Sequence, residues 1–152
     1  VATDVAEETL RVAARNAARH GVSGRVMFVQ SDWLSAFGGG RGIDIVVSNP
    51  PYVIDADVAR LAPEVRDFEP QRALVGGGSD GLDAVRGLVD QSGRVLREGG
   101  LLAIEVGDGQ ATHVVALLVR TGRFEAIESI RDLAGVPRVV VARACAEPVR
   151  QQ

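Results

Sequence analysis

Lysine is missing from this chain: all 17 basic side chains among its 152 residues are arginine. A GC-rich coding sequence accounts for that bias as well as any function does, so no mechanism is read from it. The arginines form no clustered run and the formal net charge is −3, which argues against a long nucleic-acid footprint. Cysteine is reduced to Cys145, so no internal disulfide can form, and the chain fits a reducing cytoplasm. With only His20 and His113 beside that thiol, a His/Cys metal cluster lacks its ligands, and no metal site is expected. No apolar run reaches the roughly 20 residues of a membrane helix. The opening VATDVAEETL lacks the basic region of a signal peptide. Aromatic residues amount to 4%, which singles out Trp33 and Tyr52. What remains, 46% hydrophobic and 24% charged, is the composition of a globular chain long enough for one cored domain.

Along the chain, helical and extended patterns alternate. The apolar VAT ends at Asp4, and Leu10, Ala13, Ala14 and Ala17 then recur at helical spacing over residues 6–20, stopped by Gly21. Residues 25–30 and 43–48 read as strands, separated by the Gly-rich FGGGRG. Residues 55–78 form a long irregular segment with Pro63, Pro70 and a glycine triplet, and a loop of that length in a compact domain is usually functional. Asp80 is placed to cap a helix that runs to about residue 97 and is closed by Gly99 and Gly100. Residues 101–107 read as a buried strand, 110–120 as a helix, and FEAIESI and RVVVAR as two closing strands with no helix between them. This order predicts a single-domain α/β sheet, parallel for the most part, with an antiparallel closing pair. In open α/β sheets ligands bind beyond the carboxyl ends of strands. The residues to weigh are therefore Asp4, Ser31 to Trp33, Asn49 to Tyr52, and Glu105 to Asp108.

Asp4 suits either of two roles: accepting hydrogen bonds from both ribose hydroxyls of a nucleoside cofactor, or capping the helix with Glu7 in a capping box. Asp32 and Trp33 suit either adenine recognition, carboxylate to amino group and ring to base, or a core tryptophan beside a solvated acid. VVSNPPYV, residues 46–53, is more specific. Consecutive prolines end the strand and fix φ. An amide nitrogen is a poor nucleophile because its lone pair is delocalised, so a site that alkylates it must hold both N–H groups and turn the lone pair toward the donor. The Asn49 side-chain oxygen and the Pro50 carbonyl are two acceptors able to do this, Pro51 rigidifies them, and Tyr52 can pack on the planar target.

On these residues the chain resembles a class I S-adenosylmethionine-dependent methyltransferase of the Asn-Pro-Pro-Tyr type. More narrowly, it resembles the HemK-like enzymes that methylate the glutamine side-chain amide of peptide chain release factors. TDV…RNAARHG is similar to the segment after that family's second strand, and QSDWL to its adenine-binding turn. VVSNPPYV is similar to its catalytic loop, VRDFEPQRALVGGGSDGLD to its Glu-Pro loop, EGGLLAIEVGDGQ to its fifth strand, and RDLAGVPRVVVAR to its closing hairpin.

The resemblance implies a Rossmann-like fold and S-adenosylmethionine as cofactor, held by Asp4, Asp32, Trp33 and Asn49. It implies catalysis by Asn49, Pro50, Pro51 and Tyr52. Those four residues, with Phe68 and Glu69, would bind the substrate, the Gly-Gly-Gln tip of a bacterial-type release factor. Glu105 would support the floor of the site. Any link to nucleic acid would be indirect, through the translation machinery. One departure stands out: the family's Gly-rich turn has no counterpart, since Gly38–Gly40 precedes a strand and opens no helix. The expectation is therefore a partial catalytic domain over residues 1–152. The first strand and the helical N-terminal recognition domain would be absent, and strand exchange or association with another copy would fill the gap. Methylation of a ribosomal-protein glutamine, or a non-catalytic fragment of such an enzyme, are the alternative readings.

Overall fold

Strands β1 (Ala2–Asp4) and β2 (Phe28–Gln30) pair in parallel in the computed structural model, which describes residues 1–146. A parallel pair needs a crossover, and helix α1 (Glu7–Arg19) supplies it. Glu7 and Glu8 stand in its first turn and Arg19 in its last, as the helix dipole favours. Strand β2 is shorter than the sequence predicts. Ser23 and Gly24 favour a turn, and the Arg25 N–H donates to the Val22 carbonyl at 2.9 Å, which takes the start of the run into a 3-10 turn.

These elements lie in the first of two compact units, Val1–Gly40; the second begins at Arg41. The strands accordingly form two sheets rather than one continuous sheet. The second sheet has the order β3-β4-β6-β5, built from β3 (Ile43–Ser48), β4 (Leu96–Glu105), β5 (Phe124–Arg131) and β6 (Pro137–Ala144). Strands β3 and β4 are parallel, and β6 runs antiparallel to both β4 and β5, the closing hairpin expected from the sequence. At the hairpin turn the Asp132 carboxylate accepts from the N–H groups of Ala134 and Val136, both at 2.9 Å.

Between β3 and β4 the long segment folds into short pieces, including the single-turn helices α2 (Pro63–Arg66) and α3 (Gln71–Leu74). Helix α4 (Asp83–Val95) follows, and α5 (Ala111–Thr121) links β4 to β5. Asp80, expected to cap this helix, stands two residues ahead of the observed N-cap. Leu82 is the N-cap of α4, and the Asp80 carboxylate accepts from the Leu82 N–H at 3.2 Å. The helix also stops earlier than its glycines suggest. The Gly42 N–H takes the Val95 carbonyl at 3.0 Å and the Arg41 guanidinium takes the Leu96 carbonyl at 2.9 Å. These tertiary donors satisfy end carbonyls that a longer helix would have bonded internally, and Leu96 goes extended and fully buried.

The core of this unit lies on one face of the sheet. Val85, Leu88 and Val89 of α4 and Val114 and Leu118 of α5 are buried, as are Leu102 and Ile104 of β4 and Val140 and Ala142 of β6. Helix α5 lies against β5 and β6, and α4 against α5 and β4. Along β4 buried residues alternate with half-buried Leu101, Ala103 and Glu105, the period of a strand with one well-covered face. Among the described residues Ile45 and Val47 of β3 stay exposed, Val47 at 77%. Among the described residues no helix is long and apolar enough to cross a membrane.

Candidate active site

In the first unit the pairing of Asp4 with Gln30 brings the carboxyl ends of β1 and β2 side by side. Asp4, Asp32 and Trp33 therefore share one edge of the ribbon. One Asp4 carboxylate oxygen accepts from the Ala6 N–H at 2.7 Å and so begins the turn into α1. The reciprocal half of a capping box is absent, because Glu7 pairs with Arg11 at 2.7 Å instead. A carboxylate has about four acceptor positions, so a single N–H leaves Asp4 able to accept from a diol. At the end of β2 the buried Ser31 hydroxyl accepts from the Ala36 N–H at 3.1 Å and bonds the Ser35 hydroxyl at 3.2 Å. This closes a tight turn in which Trp33 adopts φ +52, a region costly for a bulky residue. The turn leaves Asp32 exposed and Trp33 half-buried. An exposed acceptor beside a partly open aromatic ring suits an adenine base.

In the second unit the register of Ser48 opposite Ile104 puts Asn49 at the carboxyl end of β3, level with Glu105. Pro50 is fully buried and Pro51 and Tyr52 half-buried, whereas Asn49 is exposed. The loop is anchored by its backbone. The N–H groups of Tyr52 and Val53 both donate to the Leu74 carbonyl, at 3.1 and 2.8 Å, and the Gly76 N–H donates to the Val53 carbonyl at 3.0 Å. Among the described residues no hydrogen bond engages the Asn49 side chain or the Pro50 carbonyl. Two acceptors are thus presented on a backbone that is otherwise held.

Three glycines let other segments close on this loop. A Cβ on Gly76 would lie 2.0 Å from the Gly81 carbonyl oxygen and 2.8 Å from that of Pro51; one on Gly81 would lie 2.4 Å from the Tyr52 carbonyl oxygen. One on Gly107 would meet the Tyr52 ring at 2.9 Å, so the ring is seated over a residue with no side chain. Gly76→Ala must move backbone rather than a flexible side chain. We expect it to destabilise the protein by about 1–3 kcal/mol in denaturant titration; an unchanged midpoint would show that the loops yield freely.

The Gly-Ser-Asp-Gly turn is held by charge as well. Arg86 pairs with Asp80 at 2.5 Å and with Asp83 at 2.7 Å, and its hydrogen bond keeps the Asp80 carboxyl below the usual carboxylate range. Phe68 and Glu69 are exposed, Phe68 at 85%, on the short link between α2 and α3. The chain that follows them, through α3, reaches the Asn-Pro-Pro-Tyr loop at the Leu74 carbonyl and the Gly76 N–H.

A release factor glutamine methyltransferase of Gloeobacter violaceus is 46% identical over 145 residues, which is 95% of this chain and 50% of the relative. This chain is a homologue of the release factor glutamine methyltransferases. Further curated relatives of the same name, from Rhodospirillum rubrum and Nitratidesulfovibrio vulgaris, are 45% and 38% identical. The chain spans about half the length of the curated relatives it matches. No family model matches it. Among solved structures, a methyltransferase from Pyrococcus furiosus superposes with a TM-score of 0.64 at 19% identity, covering 95% of this chain and 61% of its own. The fold is that of the class I methyltransferases, as the sequence led us to expect.

One residue of the site escaped the sequence reading. Gln110, just after β4, donates from its side-chain amide to the Tyr52 carbonyl at 3.0 Å and to the Asp80 carbonyl at 3.1 Å. Its oxygen accepts from the Gly107 N–H at 3.0 Å. The one available signal was its position: it is the N-cap of α5, where Ser, Thr, Asp or Asn is the usual choice.

Proposed function

We propose that this chain carries catalytic-domain residues of an S-adenosylmethionine-dependent protein-glutamine N-methyltransferase acting on the Gly-Gly-Gln tip of a peptide chain release factor in the cytoplasm. The observation that carries the reading is the exposed Asn49 side chain, without a hydrogen bond among the described residues, beside the Pro50 carbonyl and at the end of a strand whose following loop is anchored by its backbone. Kinship over 95% of the chain to enzymes of that name supports the substrate.

S-adenosylmethionine supplies an electrophilic methyl group on a sulfonium. Asp4 would accept from its ribose hydroxyls, Asp32 from its adenine amino group, Trp33 would pack on the base, and Asn49 would add a polar contact. Asn49 and Pro50 would each accept one N–H of the glutamine amide, which orients the nitrogen lone pair while Tyr52 holds the plane of the group. Little reorganisation is left, because the prolines and the hydrogen bonds to Leu74 and Val53 have already set the acceptors. The amide nitrogen sheds its proton after alkylation, so no strong base is required of the chain. Phe68 and Glu69, exposed on the loop that leads into α3, would meet the substrate protein.

The test is transfer of label from methyl-labelled S-adenosylmethionine to release factor by the full-length protein. Gln→Ala in the Gly-Gly-Gln of the substrate should abolish incorporation; labelling that survives that change would sink the assignment.

A further inference from the structure

Gln110 is the N-cap of α5, yet its side chain bonds no N–H of that helix. It reaches instead into the space between three segments: the Asn-Pro-Pro-Tyr loop, the turn at Asp80, and the end of β4 at Gly107. Its orientation is dictated by its partners. The amide nitrogen faces two carbonyl oxygens and the amide oxygen faces one N–H, so the flipped amide would set three like dipoles against each other. Gly81 and Gly107 have no Cβ, and one on either would lie 3.1 Å from the Gln110 nitrogen or 2.7 Å from its oxygen. Both close approaches therefore depend on glycine.

From this we infer that Gln110 is a positioning residue for methyl transfer, resting on the function proposed above. It clamps the Tyr52 carbonyl to the Asp80 turn and the β4 end, and so sets the angle at which Asn49 and Pro50 present their acceptors. Arg86 does the same from the other side of the turn: through Asp80 and Asp83 it holds the turn to α4. The Asn-Pro-Pro-Tyr loop is thus tied to α5 directly through Gln110, and through Gln110 and the Asp80 turn to α4. Prolines make the loop stiff, but a stiff loop still needs its direction set. Gln110 is the one side chain among the described residues that bonds all three segments.

The experiment uses the full-length protein with Gln110→Met, which keeps the volume and removes all three hydrogen bonds. Gln110→Glu, the second variant, keeps the acceptor for Gly107 and sets a carboxylate against the two carbonyls. Both should lower kcat toward release factor by about 10–100-fold with the KM for S-adenosylmethionine little changed. Hydrogen exchange at Tyr52, Val53 and residues 76–82 should accelerate together, while β4 and β6 keep their protection. Unchanged exchange in these segments overturns the clamp. Loosened loops with unchanged kcat overturn the positioning role. A wild-type protein that transfers no methyl group sinks the proposed function instead, and the clamp then stands or falls on the exchange result.

Discussion

Asn49→Ala in the full-length protein should cut methyl transfer about 10²–10³-fold, the loss of about 2.7–4 kcal/mol typical of a deleted transition-state hydrogen-bonding group. The amide nitrogen becomes a competent nucleophile only when its N–H groups are held and its lone pair is turned out of conjugation. In the mechanism proposed above Asn49 and Pro50 are the two acceptors that do this, and alanine removes one. Cofactor affinity should change little, since the function proposed above gives Asn49 at most one polar contact to the cofactor. Stability should also hold within about 0.5 kcal/mol, because Asn49 is exposed and its side chain makes no hydrogen bond among the described residues. Single-turnover transfer, calorimetric titration with S-adenosylmethionine and thermal unfolding separate these effects. Near wild-type transfer by the folded variant would remove Asn49 from the mechanism.

Ile104→Ala should be the most damaging of these changes to the fold, costing about 2–5 kcal/mol. Ile104 is fully buried, and β4 sets it between Ser48 of β3 and Val140 of β6. The lost methylenes would leave a cavity in a layer hemmed in by two neighbouring strands and the helices above, which cannot collapse without breaking ladder hydrogen bonds. For a chain of this size that corresponds to a fall in Tm of roughly 5–15 °C. Unlike Asn49→Ala, the variant should retain transfer per folded molecule at low temperature. A Tm within a degree or two of wild type would mean the layer is less tightly packed than its burial indicates.

Most of what makes the site recognisable is local in the chain. The apolar run 43–48 and the prolines after it place Asn49 at a strand end by period and φ alone, and the closing hairpin follows from two strands with five residues between them. The edge position of Asp4, Asp32 and Trp33 follows equally from strand ends in an α/β alternation. The differences lie where a distant partner or a neighbouring turn competes with the pattern of the run. Gly99 and Gly100 marked a helix end, but Arg41 and Gly42 captured the Val95 and Leu96 carbonyls first. Ser23 and Gly24 drew Arg25 out of its strand.

The sequence by itself therefore determined the order of elements, the rigid Asn-Pro-Pro-Tyr loop and the residue types at each strand end, because periodicity, proline and charge act within a few residues. Only the tertiary structure decided how that loop is aimed. Gln110 lies 58 positions from Tyr52 and 30 from Asp80. Gly76 meets Pro51 and Gly81 meets Tyr52 backbone to backbone, across sequence gaps of similar kind. A hydrogen bond or a missing Cβ has no local signature, since its value depends on what the fold brings within about 3 Å of it.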